Sequence, residues 1–410
     1  MFEAAYTVYF NGELSIRKLI SEKEEDLMEK MGPENLIKLK GYVQNYTWGK
    51  LGKSSERYRI SKSKIFSSGI LECQILVSGE SQRISYILSK LRILSTFQLW
   101  MGTHPKGPSL IMQSGQVLSK YLADNPAILG QSYKVTNTDN FQLPFLFKVL
   151  SVNEALSIQS HPNKQQAKIL HANDPKNYPD DNHKPEMAIA LTEFEMLSGF
   201  RPSSEIINYI NELSELKRLI RTESYELFRA NANEGSLKMC FSDLMNQPQV
   251  EIEKSLKSLA DRFSSERNNN FSSSTIFLAI FSDFGDDQIK NLFLRIYKGF
   301  SNDVGCLAVF FLNYIVLQPG EAVFLGPNEP HAYLLGDCVE CMACSDNTIR
   351  AGLTPKFKDV ENLVAMLTYS MNAAEKVKFK PKKLSDVVTE YAPPVPEFTV
   401  HKIEVSKITT

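Results

Sequence analysis

Between Leu39 and Gly199 the apolar residues fall in short runs punctuated by Gly, Pro and Asn, as in Pro144-Phe145-Leu146-Phe147-Lys148-Val149-Leu150. That pattern predicts β-strands. From Arg201 to Phe300 the period changes. Ile206, Ile210, Leu213, Leu216 and Ile220 recur at i, i+3 and i+4 spacings, as do Ile252, Leu256, Leu259 and Phe263, then Ile289, Leu292, Phe293 and Ile296. These stripes predict amphipathic helices, broken at Pro248 and at the polar run Ser264–Ser274. From Val316 the strand pattern returns, with a turn at Pro319-Gly320, a strand over Glu321–Leu325 and a loop from Pro327 to Pro330. Met1–Ile37 carries an amphipathic helical pattern through Leu14, Ile16, Leu19, Ile20, Leu27, Met28 and Met31. The predicted organisation is an N-terminal segment (1–37), a β domain (38–200), a helical insert (201–300) and a second β module (301–410), a mainly β fold interrupted by helices.

Composition narrows the functional classes. At 410 residues, 43% hydrophobic and 23% charged, the chain is an ordinary globular sequence with room for two or three domains. A formal net charge of −1 gives no reason to expect a nucleic-acid or acidic-membrane partner. No apolar run reaches the roughly 18 residues needed to span a bilayer. Glu22-Lys23-Glu24-Glu25-Asp26 is acidic where targeting peptides are basic or apolar, so a cytoplasmic protein is expected.

Two strings carry the chemistry. In Ser157-Ile158-Gln159-Ser160-His161-Pro162, Gln159 and His161 are two apart, and on a strand they share a face. In Asn182-His183-Lys184-Pro185-Glu186-Met187, Glu186 follows a tight Pro-containing turn. An amide oxygen, an imidazole and a carboxylate on one face are metal ligands whose hardness suits zinc. A fourth ligand must come from far along the chain, and Asn328-Glu329-Pro330-His331 offers His331. The run Cys338-Val339-Glu340-Cys341-Met342-Ala343-Cys344 also suggests metal, but on a strand Cys338 and Cys344 face one way and Cys341 the other. Buried free thiols of a reducing compartment are the expectation there.

These strings, with Tyr42-Val43-Gln44-Asn45-Tyr46-Thr47-Trp48-Gly49, Leu99-Trp100-Met101-Gly102-Thr103-His104-Pro105 and Asn347-Thr348-Ile349-Arg350-Ala351-Gly352, resemble the type I phosphomannose isomerases. The resemblance covers most of Leu39–Glu56 and Leu99–Lys402. Tyr58–Phe97 departs from it, although β-like runs such as Ile70–Val77 occur there. Gln98 stands where the family has Glu. The family starts near Leu39, which makes 1–37 an addition. Its members continue past the Pro393-Pro394-Val395-Pro396-Glu397-Phe398 string, so an incomplete second module with an unpaired sheet edge is expected.

The resemblance implies cupin-type jelly-roll modules and a zinc enzyme, one ion per chain, held by Gln159, His161, Glu186 and His331. It implies interconversion of mannose 6-phosphate and fructose 6-phosphate through an enediol, which supplies mannose phosphate for GDP-mannose. The expected partner is a small sugar phosphate, and the expected assembly a monomer. Arg350, Lys184, His183, Asp346 and Glu340 are the catalytic candidates. Lys148, Ser157, Tyr333 and Lys356 are the substrate- and phosphate-binding candidates. Two rivals remain: a catalytically impaired sugar-phosphate-binding homologue, and a cupin oxygenase with a 2-His-1-carboxylate site.

Overall fold

The computed structural model describes residues 3–9, 36–45, 72–78, 81–87, 97–126, 141–272 and 284–405. Two sheets and a group of helices make up the described fold. The 11-stranded sheet is centred on the long strand His331–Ala343. One half of that strand pairs with Phe145–Val152 and Glu186–Ala190, the other with Phe194–Phe200. The short strand Ile158–Ser160 joins the latter half, and Ile349–Gly352 pairs with Ile158–Ser160 in turn.

Alternation explains how one sheet serves two purposes. Phe145, Phe147, Val149, Met187, Ile189, Val339 and Cys341 point to one face and pack on Leu39, Ile111, Tyr391 and Val400 of the eight-stranded sheet. Leu150, Ala188 and Cys338 point the other way into a second core. Lys148, Glu186 and Glu340 share that second face by register. Gly336 sits mid-strand at φ +111°, where an added Cβ would lie 2.3 Å from Glu193 O. Only glycine fits here, next to the register shift at Leu335–Tyr333 where the strand passes from one set of partners to the other.

The helical stripes behave as their periods require. Ile206, Ile210, Leu216, Ile252, Leu256, Leu259, Phe263, Leu292, Phe293 and Ile296 are all buried in one core. That core continues into Leu197, Phe200, Ala332 and Ile349, so the helices Ser203–Gly299 are packed onto the strands that carry the site. The polar run Ser264–Ser274 does not end the helix at its start: one helix runs Gln249–Ser272, the next is Phe284–Gly299, and 273–283 lie outside the described residues. Polarity alone does not end a helix. No Gly or Pro interrupts this stretch, and Arg262 and Glu266 form an i, i+4 ion pair across it.

One expectation for the N-terminal segment needs correction. Glu3–Tyr9 is a strand rather than part of a helix, because Tyr6 and Val8 alternate and both strand edges are taken, by Thr399–Val405 and Ser81–Ile87. Leu14 to Met31 lie outside the described residues. Thr399–Val405 is paired on both sides, by Val388–Tyr391 and by Glu3–Tyr9. Within Tyr58–Phe97 the described parts are the strands Glu72–Ser78 and Ser81–Ile87, which pair with each other.

Candidate metal centre

Register builds the centre. His331 pairs with Gln159, and Gln159 with Arg350, so three strands place these side chains in a row on one face. His161 follows one residue after the Ile158–Ser160 strand. Asn328, in the left-handed region at φ 65°, donates its N–H to His161 O at 2.8 Å and ties the loop before His331 to that ligand. Glu186 opens its strand directly after His183-Lys184-Pro185, which is irregular backbone rather than the expected turn.

The ligand atoms of His161, Glu186 and His331 lie within 4.8 Å of one another, and all three residues are buried. His161 Nε2 is 3.4 Å from Glu186 Oε1, and His331 Nε2 is 3.4 Å from Glu186 Oε2. His161 Nδ1 is 2.7 Å from Asn347 O and His331 Nδ1 is 3.0 Å from Glu329 O. A carbonyl oxygen can only accept, so each Nδ1 carries the proton and each Nε2 presents a lone pair. His161 Nε2, His331 Nε2 and Glu186 Oε2 are buried without a hydrogen-bond partner. Three acceptors facing one another in a dry interior repel unless a cation sits between them. This donor set fits zinc.

Titration agrees with that reading. Burial, then Lys184, pushes the His161 imidazole down to about 4, so it is neutral and a ligand at pH 7. Burial alone would raise the Glu186 carboxyl, but the Lys184 ammonium 2.9 Å away outweighs it and holds the group well below its ordinary range.

The other candidates separate into groups. Lys184 Nζ lies 2.9 Å from Glu186 Oε1 and belongs to the centre. Gln159 Oε1 accepts from Ser157 Oγ at 3.4 Å, beside the ligand row. Arg350 and Lys356 form a cationic pair: burial, then the Arg350 charge, lowers the Lys356 ammonium. Lys148 is held by a different set of partners. Its ammonium donates to Glu340 Oε2 at 2.6 Å, sits 2.9 Å from Met342 Sδ and faces the Trp100 ring at 5.2 Å. Tyr333 is buried with its ring 6.4 Å from that of His331, and burial, then Glu340 and Glu186, raise its hydroxyl far above the usual range. His183 Nε2 is 2.7 Å from Glu397 Oε1, which Lys164 also approaches at 3.1 Å. Asp346 turns to Lys106 at 2.7 Å and His104 at 3.5 Å. Cys338 and Cys341 enter opposite cores as free thiols. Gln98 Oε1 accepts from the Trp100 indole at 2.7 Å, a task for any acceptor, Glu or Gln.

Glu397, Lys164 and Asp180 were not singled out from sequence. Glu397 lies in the Pro393–Phe398 string, and Asp180 lies two residues before Asn182. No spacing rule links Glu397 to His183 or Asp180 to Asn347, each more than a hundred residues away.

Residues 92–203 match the family model for phosphomannose isomerase type I, catalytic domain, and residues 210–312 match that for phosphomannose isomerase type I, helical insertion domain. The chain is 43% identical over 386 residues to mannose-6-phosphate isomerase of Rattus norvegicus, covering 92% of this chain and 83% of that protein. It is 41% identical over 388 residues to the Homo sapiens protein of that name, with 92% and 83% covered. A crystal structure of mannose 6-phosphate isomerase bound with zinc and yttrium superposes with a TM-score of 0.68 at 29% identity, covering 89% of this chain and 82% of that one.

Proposed function

The chain belongs to the type I phosphomannose isomerase family, and we propose that its His161–Glu186–His331 centre is where it interconverts mannose 6-phosphate and fructose 6-phosphate. The observation that carries the reading is the set of three buried, unpartnered ligand atoms facing one another. His161, Glu186 and His331 would hold zinc, with Gln159 as the fourth ligand from the adjoining register position. Zinc, when bound, supplies a Lewis acid that polarises the sugar carbonyl and stabilises charge on the enediolate.

The remaining groups orient the substrate and move its protons. Arg350 is next in the row after Gln159, and its guanidinium stays charged, so it suits the oxygen on which negative charge grows. Lys356, the second cation of the pair, suits the phosphate. With His183 committed to Glu397, and Asp346 to Lys106 and His104, Lys184 and Glu340 are the proton-transfer groups on the ligand face. Lys148 fixes the Glu340 carboxylate, while Ser157 and Tyr333 flank the ligands. The helices between 201 and 300 contribute none of these groups and serve as an insert that buttresses the strands. We read the protein as a cytoplasmic monomer that supplies mannose phosphate for GDP-mannose.

Purified protein loaded with zinc should convert mannose 6-phosphate to fructose 6-phosphate, lose that activity to a chelator, regain it with zinc, and consume no oxygen. Zinc uptake with sugar-phosphate binding but no turnover would mark an impaired homologue. Oxygen consumption would replace the isomerase with an oxygenase.

A further inference from the structure

Asp180 lies in the loop before Asn182-His183-Lys184-Pro185-Glu186 and is absent from the set of groups above. Its carboxylate accepts three hydrogen bonds from one distant segment: Ser345 Oγ at 2.7 Å, the Asp346 N–H at 2.8 Å and Asn347 Nδ2 at 3.1 Å. The Asp180 carbonyl accepts from Asn347 Nδ2 as well, at 2.6 Å. Asn182 adds to the lock: its carbonyl takes Asn347 Nδ2 at 2.9 Å and Ser345 Oγ at 3.0 Å, and its own Nδ2 donates to Cys344 O at 3.0 Å. Asn347 is fully buried, and its main-chain carbonyl receives the His161 Nδ1 proton.

We propose that Asp180 is a positioning residue of the metal centre, acting on His161 through Asn347. Resting on the functional reading above, this assigns a role to a residue outside the ligand set. The argument is one of satisfied donors. A backbone N–H, a hydroxyl and an amide, all aimed at one carboxylate, leave residues 345–347 a single arrangement. Without the carboxylate the Asp346 N–H loses its partner, Ser345 Oγ and Asn347 Nδ2 keep only the carbonyls of Asn182 and Asp180, and the segment must turn to satisfy the freed N–H. Asn347 O then leaves His161 Nδ1. The imidazole loses both its fixed orientation and the tautomer that presents Nε2 to the ion. The same segment leads directly into Arg350, so the lock also joins the Lys184–Glu186 loop to the cationic row.

The test compares wild type with Asp180→Ala and Asp180→Asn. Zinc affinity is measured by competition with a chromogenic chelator, alongside the visible spectrum of the cobalt-substituted proteins and the melting temperature of the metal-free proteins. Loss of such an outer partner costs about 10–100-fold in metal affinity. We expect that loss for Asp180→Ala, and a smaller one for Asp180→Asn, which keeps one acceptor oxygen but turns an amide toward the Asp346 N–H. The cobalt spectrum should shift in both. Zinc affinity within twofold of wild type, with an unshifted spectrum, overturns the proposal even if melting falls, because Asp180 is then a folding residue only. Failure of both variants to fold overturns it for the same reason. An inactive wild type that still takes up zinc would defeat the isomerase reading and leave this comparison standing. A wild type that takes up no zinc defeats both.

Discussion

Glu186 and Glu195 sit nine residues apart on strands consecutive in sequence, both buried, and they do opposite things with their charge. Glu195 is fully answered from within. Arg295 of the helix Phe284–Gly299 grips both of its oxygens, and Tyr314 donates to Oε2 at 2.6 Å. Burial would raise its carboxyl, but Arg295 and Tyr314 hold it below the ordinary value. Glu186 meets two lone pairs and keeps an oxygen with no donor. The first cluster is complete and staples the helices to the sheet. The second is incomplete and marks where a ligand is needed. Burial of a carboxylate therefore says little about function until its partners are counted.

The largest expected effect breaks the incomplete cluster. Glu186→Ala should weaken zinc binding by more than about 100-fold, beyond the usual cost of losing an outer partner, and abolish activity with it. Zinc should no longer raise the melting temperature of this variant, as it does for any protein whose folded state alone binds the ion. A retained zinc-dependent rise in melting temperature would remove Glu186 from the ligand set.

Arg350→Ala should sharpen the division between holding metal and using it. Turnover should fall on the order of 10²–10³ while zinc content stays near wild type, since a guanidinium is no ligand. A change confined to the Michaelis constant would move Arg350 to phosphate binding.

Glu195→Ala attacks the complete cluster. It should leave zinc affinity unchanged and destabilise the fold by about 1–3 kcal/mol, the worth of hydrogen bonds to a charged group, read by denaturant unfolding of the metal-free protein. Arg295 is partly exposed, which keeps the effect at the modest end of buried ion pairs. Altered zinc affinity would mean that the two clusters are coupled.

The smallest effect concerns Glu397. His183 and Lys164 outweigh its burial and lower its carboxyl from 4.5 to about 2. A folded pKa below the unfolded one means that folding favours the ionised form. The stabilisation is complete above about pH 4.5 and drains away as pH falls toward about 2. Melting temperature should therefore drop less steeply between pH 5 and 2 in Glu397→Gln than in wild type. Equal slopes would show that the contact contributes nothing to stability.

Some of this was legible in the chain alone. The helices between Ser203 and Gly299 follow from period, because a helix repeats every 3.6 residues whatever it packs against. The opposed faces of Cys338 and Cys341 follow from strand alternation. The strand at Glu3–Tyr9 was not legible, since two neighbouring strands decided it, and the helix through Ser264 was obscured by a polar run that does not by itself end a helix.

What the sequence by itself determined is which residues can ligate, and that Gln159 and His161 stand in a pair, because those depend on side-chain chemistry and local geometry. That His331 comes beside them was a matter of resemblance until strand register placed it there. The tertiary structure alone decided which polar groups are spoken for. Lys148 is held by Glu340, His183 by Glu397, Asp346 by Lys106, and the Asn347 carbonyl faces His161 because Asp180 holds its loop. Each of these pairings spans more than a hundred residues. A hydrogen bond is decided by about 3 Å of space, and separation along the chain leaves no trace of it.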